Sequence, residues 1–164
     1  MKLYVDMDGT LVDFVAQVSA HGFWRKDKAN KVDWAKVKAM GTSFWTEMNW
    51  INGAEAAFAK LCDMEKRGEL ELFILSSIDF YSGIEGKKQW LQRNTDFPLE
   101  KAIFVTEPED KAEYAAPDAW LIDDRTKSLD PFAAASGNVI EFKGDWKATL
   151  EAVVGAMNLE RADI

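Results

Sequence analysis

Asp6 and Asp8 stand two residues apart at the end of a short apolar run, KLYVDMDGT, and Gly9 lets the backbone turn sharply behind them. Leu3 and Val5 fit a buried strand, so both carboxylates should be presented where open α/β sheets bind ligands. Ser76 and Ser77 close a second apolar run, ELFILSS, as short hydroxyls able to hold a phosphate oxygen together with turn amides. Asp123 and Asp124 close a third, AWLIDD, with Lys111 shortly before it, and Lys87 and Lys88 open the helical stretch behind the serines. Singly, each is an ordinary turn former, cap or surface charge. Together, acid, hydroxyl, lysine and acid follow in order at strand ends and should surround one crevice.

Five apolar, often β-branched segments must position these groups: KLYVD, LELFILSS, KAIFVT, DAWLIDD and NVIEF. Helical periodicity lies between them, most clearly over 54–67, 84–94 and 145–157, which predicts a five-stranded parallel sheet with helices on both faces. Some 60 residues separate the first two strands, far more than one crossover helix needs. Residues 15–52 are therefore expected to form a small helical cap over the strand ends, inserted into a single domain of 1–164. This insertion holds Trp24, Trp34, Trp45 and Trp50, four of the seven tryptophans.

Composition removes several functions. The 164 residues carry 20 Lys and Arg against 28 Asp and Glu, a formal charge of -8, with no basic stripe for a nucleic-acid backbone. A small anionic partner remains compatible, because a metal ion and a few placed lysines reverse the local potential. No stretch reaches the ~18 apolar residues of a membrane span, and neither a secretory leader nor a membrane association is expected. Cys62 is the only cysteine, which fits a reducing cytoplasm. His21, the only histidine, lies in the insertion and leaves no serine or cysteine hydrolase arrangement.

DMDGT, the serine closing ELFILS, Lys111 and the acid pair of LIDD resemble the four motifs of the haloacid dehalogenase (HAD) superfamily, over nearly the whole chain. Within it, DMDGTLVDF with Phe14, the ILSS string, KKQW and LIDDR are most similar to the 5'(3')-deoxyribonucleotidases. The resemblance implies a Rossmann-like three-layer fold and a Mg²⁺-dependent phosphomonoesterase in which Asp6 attacks phosphorus and Asp8 handles the proton. Asp6, the main-chain oxygen of Asp8 and one of Asp123 and Asp124 would hold the cation. Asp123 is the favoured ligand, with Asp124 left open. Ser76 and Lys111 would hold the phosphoryl oxygens, with Ser77 and Lys87, preferred over Lys88, as further contacts. Phe14 and Trp45 are candidates to stack a base or sugar. A deoxyribonucleoside monophosphate is the leading substrate. A sugar phosphatase and a non-catalytic phosphate-binding module are the alternatives, and a monomer and a homodimer are both open.

Overall fold

The strands form where the apolar runs predict them, because each run alternates between two buried faces. The computed structural model describes residues 1–162. Its sheet contains β1 (Lys2–Val5), β2 (Glu71–Ser77), β3 (Ala102–Val105), β4 (Ala119–Asp123) and β5 (Asn138–Glu141), all parallel, in the order β3-β2-β1-β4-β5. On β1, Leu3 and Val5 join a large core on one face while Tyr4 joins a smaller core on the other. Leu72 and Ile74 against Leu75, and Ile122 against Leu121, repeat that division. A strand buried on both faces has to read as a continuous apolar run.

Among the described residues, seven α-helices surround the sheet: α1 (Phe14–His21), α2 (Trp34–Met40), α3 (Ser43–Thr46), α4 (Ala54–Lys66), α5 (Tyr81–Asn94), α6 (Thr126–Ala134) and α7 (Trp146–Ala162). The helix expected over 84–94 begins earlier, at Tyr81, because Phe80 is the last extended residue before it. The one expected over 145–157 continues to Ala162. Helix α6 has no counterpart in the sequence reading. Pro131 lies inside it and breaks the local pattern, but Leu129 and Phe132 bury their side chains in the smaller core and tertiary packing overrides propensity.

The insertion contributes α1, α2, α3 and a short antiparallel bridge between Trp24 and Val32. It shares its core with the sheet: Val18, Val37, Phe44, Trp45 and Met48 are buried in the same cluster as Leu3 and Val5. Two side-chain hydrogen bonds to main chain hold it, one within the insertion and one from α5. Gln17 donates to the carbonyl of Phe44 at 2.7 Å, and Trp90 of α5 donates to that of Met48 at 2.8 Å. Among the described residues, no helix is long and apolar enough to cross a membrane.

Candidate active site

β1 is the central strand, flanked by β2 and β4, so its carboxyl end faces the point where the chain's connections diverge to opposite sides of the sheet. Asp6 follows it directly, held by its N–H to the carbonyl of Ile122 at 3.0 Å. The carbonyl of Met7 then accepts from the N–H groups of Thr10, Leu11 and Val12, closing a tight loop. Gly9 has φ +75 in that loop, and a Cβ there would lie 2.3 Å from Asp124 Oδ2. Glycine is thus required twice, for the turn and for the close approach of Asp124. From α7, Trp146 Nε1 donates to the carbonyl of Thr10 at 2.8 Å and pins the loop from outside.

Four carboxylates and two buried lysines meet here. Lys111, on a 3-10 segment (Pro108–Tyr114) after β3, places its ammonium 2.9 Å from Asp6 Oδ1 and 2.6 Å from Asp123 Oδ2. Lys87 of α5 reaches Asp8 Oδ2 at 2.9 Å and donates to Ser76 Oγ at 2.7 Å. The hydroxyl of Thr10 lies 3.4 Å from Asp6 Oδ2 and 3.3 Å from Asp124 Oδ1, within reach of both acids. Asp6, Asp123 and Asp124 each offer an oxygen within 4.8 Å of the others. Even with both lysines charged, the four ionised acids leave two negative charges uncompensated.

That excess appears in the proton affinities. Burial pushes Asp8 above the ordinary carboxylate range; the Lys87 ammonium pulls it back, while nearby Asp6 acts with burial. Burial and Asp6 raise Asp123 against the pull of Lys111. Burial, Asp6 and Asp123 together raise Asp124 to about 8. Burial lowers Lys111, but Asp6 and Asp123 outweigh it and hold the ammonium above its usual value. Hard oxygen donors carrying a deficit of two positive charges suit Mg²⁺.

A carboxyl raised in the fold stabilises most below its unfolded pKa of about 3.9 and loses that contribution as pH rises through its folded value. For Asp124 the window runs up to about 8. The melting temperature of the metal-free protein is accordingly expected to fall between about pH 5 and pH 8, and added Mg²⁺ to restore it most at the alkaline end. Thermal melts at both pH values check this; a flat profile with no Mg²⁺ response would remove the cation reading.

The structure distributes the expected site residues unevenly. Asp6, Asp8, Ser77, Lys111, Asp123, Asp124 and Phe14 all line one cavity of about 630 Å³. Ser76 does not; alternation along β2 turns it to the face of Leu72 and Ile74, beneath α5, where it meets Lys87. Lys88, on the next position round α5, pairs instead with Glu85. Asp123 has both oxygens engaged, Oδ2 with Lys111 and Oδ1 with the N–H of Arg125 at 3.0 Å. Among the described residues Asp124 has only the long contact from Thr10; Asp123 and Asp124 both line the cavity, and each offers an oxygen to the cluster with Asp6.

Trp45 is fully buried and absent from the cavity wall, because α3 packs its ring into the shared core. Trp34 stands at the wall instead, stacked on Phe14 with centroids 5.7 Å apart and 42% exposed. Phe80 meets Trp34 edge-on at 6.1 Å, and Lys38 lies 5.0 Å over the Phe80 ring. Sequence reasoning gave Thr10, Phe80 and Lys38 no place in the site and named Trp34 only as one of the insertion's tryptophans. Thr10 was visible as the closing residue of DMDGT, whereas Trp34, Phe80 and Lys38 come together only through the packing of α2 on the start of α5. His21 lies apart, stacked on Phe23.

No protein-family model matches the sequence, and no curated protein matches it. Solved structures do. A HAD hydrolase, family IA, variant 3 from Entamoeba histolytica superposes with TM-score 0.57 at 14% identity, over 88% of this chain and 84% of that one. A hydrolase from Streptococcus pneumoniae gives 0.55 at 14% identity, over 94% and 97%. A HAD family enzyme from Bacteroides thetaiotaomicron, solved as an aspartate-to-alanine variant with magnesium and inorganic phosphate, gives 0.53 at 12% identity, over 90% and 97%. The fold is the HAD-like, Rossmann-like α/β fold that these structures share.

Proposed function

We propose that this chain is a Mg²⁺-dependent phosphomonoesterase that works through an aspartyl-phosphate, with deoxyribonucleoside monophosphates as its leading substrate class. The observation carrying this reading is the pair Asp6 and Asp8 on one tight loop, with Lys111 bridging Asp6 to Asp123 behind them. The magnesium and phosphate held by the Bacteroides structure of the same fold point the same way.

Asp6, the main-chain oxygen of Asp8 and one of Asp123 and Asp124 would hold the cation, which when bound supplies charge neutralisation at the phosphoryl oxygens. A carboxylate oxygen of Asp6 attacks phosphorus, the ester P–O bond breaks, and Asp8 delivers a proton to the leaving alkoxide. Asp8 then takes a proton from water as that water attacks the aspartyl-phosphate, and inorganic phosphate leaves with Asp6 regenerated. Lys111 neutralises charge on the transferring group, and Ser77, which lines the cavity, is placed to contact it. Asp123 orients Lys111.

The nucleotide assignment rests on the aromatic end of the cavity. Phe14, Trp34 and Phe80 offer ring faces and edges suited to a base, in a volume larger than phosphate alone requires. Phosphate release measured over deoxyribonucleotides, ribonucleotides and sugar phosphates, with and without Mg²⁺, tests both levels. Metal-dependent turnover with nucleotides ahead is expected. No turnover of any monophosphate would sink the enzyme reading, and sugar phosphates running far ahead would sink the base-stacking one.

A further inference from the structure

Lys87 is fully enclosed, with 0% of its surface exposed. An ammonium has three protons to donate. Those of Lys87 have three partners: Asp8 Oδ2 at 2.9 Å, Ser76 Oγ at 2.7 Å and the carbonyl of Ser77 at 3.4 Å. No donor remains for a substrate phosphate, and Lys87 does not line the cavity. The phosphate contact expected from the sequence therefore has no free donor to make it.

Its contacts describe another task. Asp8 has one oxygen tied to Lys87, while the other, Oδ1, is buried with no hydrogen-bond partner among the described residues. A carboxylate anchored at one oxygen presents the other in a fixed direction, and a proton-transfer group works only when its oxygen is aimed. The ring of Trp45 lies 5.1 Å from the Lys87 ammonium. Trp45 is held there by close packing: a Cβ on Gly86 would lie 2.5 Å from its side chain, so glycine lets α3 and α5 approach. The indole N–H of Trp45 finds no acceptor among the described residues, which leaves packing against Gly86, Lys87 and the rings of Phe14, Phe44 and Phe80 to orient it.

We propose that Lys87 is the positioning residue for Asp8, clamping its carboxyl through Oδ2 so that the group keeps one orientation on the loop beside Asp6, with Trp45 of the inserted segment as the floor that sets the height of the ammonium. This assignment rests on the phosphatase reading of the same site. It makes the insertion part of the proton-transfer machinery as well as the wall of the substrate cavity.

The test compares kcat/KM, which reports the first transfer, for p-nitrophenyl phosphate and for an alkyl ester such as a deoxyribonucleoside monophosphate. The first has a leaving group that needs little proton assistance; the second depends on it. Lys87→Met is expected to lose roughly 10²-fold or more on the alkyl ester, the usual scale of a general acid, but less than about tenfold on p-nitrophenyl phosphate. The inhibition constant for inorganic phosphate should stay within about threefold, and Lys87→Met should add little in an Asp8→Asn background. Trp45→Phe, which keeps a ring in the core, should show the same substrate-dependent loss at smaller size and guards against a misfolded Lys87 variant. Equal losses on both esters, or phosphate inhibition weakened about tenfold, would overturn the assignment and return Lys87 to phosphate binding. A wild-type protein that hydrolyses neither ester with Mg²⁺ would remove the phosphatase reading, and this one with it.

Discussion

Asp6→Asn is expected to abolish turnover, on the order of 10⁴-fold or more, in a protein that still folds. Asparagine keeps the shape of the side chain but is a poor nucleophile toward phosphorus, so the covalent step is lost while binding survives. The fold should survive for an electrostatic reason. Asp6 raises the proton affinity of Asp8, Asp123 and Asp124 alike, so its removal relieves three neighbours. Lys111 keeps Asp123 as a partner at 2.6 Å and is not left unpaired. The metal-free variant should therefore melt no lower than wild type at about pH 8, the region where the clustered acids repel most. Phosphate release and thermal melts on one preparation check both halves. Appreciable residual turnover would reject Asp6 as nucleophile, and a large fall in melting temperature would reject the charge-crowding account.

Lys111→Met has the opposite balance and should damage both properties. The ammonium is 1% exposed and bridges two buried carboxylates. Removing it leaves Asp6 and Asp123 facing each other without a counter-charge, and breaking a buried pair from one side costs about 3–5 kcal/mol. Protonation of one acid relieves part of this, so the variant should regain stability more steeply than wild type as pH falls from about 8 to about 5. Turnover should fall at least ~10³-fold even at saturating Mg²⁺, because no other buried cation reaches both Asp6 and the transferring group. Melts across that pH range and kcat at high metal separate the two effects. A variant as stable as wild type at about pH 8 would show that the bridge contributes nothing to the fold.

Both predictions turn on charges whose neighbours were not visible along the chain. Asp6, Asp8, Asp123 and Asp124 were legible because they lie at or just beyond the ends of strands whose apolar runs are unambiguous, and a parallel sheet brings its strand ends to one edge. The phase of α5 separated Lys87 from Lys88, since Lys87 shares a face with buried Trp90. What that phase did not reveal was the target of the buried lysine, which is Asp8 on a loop some 80 residues away. The two serines failed differently: adjacent residues on a strand point to opposite faces, and without the phase of β2 relative to α5 either could have met the cavity. The sequence reading chose Trp45 over Trp34 as the stacking residue, but the packing of α2 and α3 buries Trp45 and exposes Trp34.

By itself the sequence determined the five strands, the helices α4, α5 and α7 and the segments that carry the acids, because these follow from hydrophobic periodicity and turn chemistry over a few residues. Only the tertiary structure decided which charges meet: Lys111 with Asp6 and Asp123, and Lys87 with Asp8. The reason is that an ion pair or a raised pKa is set by distance and burial, and both come from segments far apart in sequence meeting in a medium that screens charge poorly.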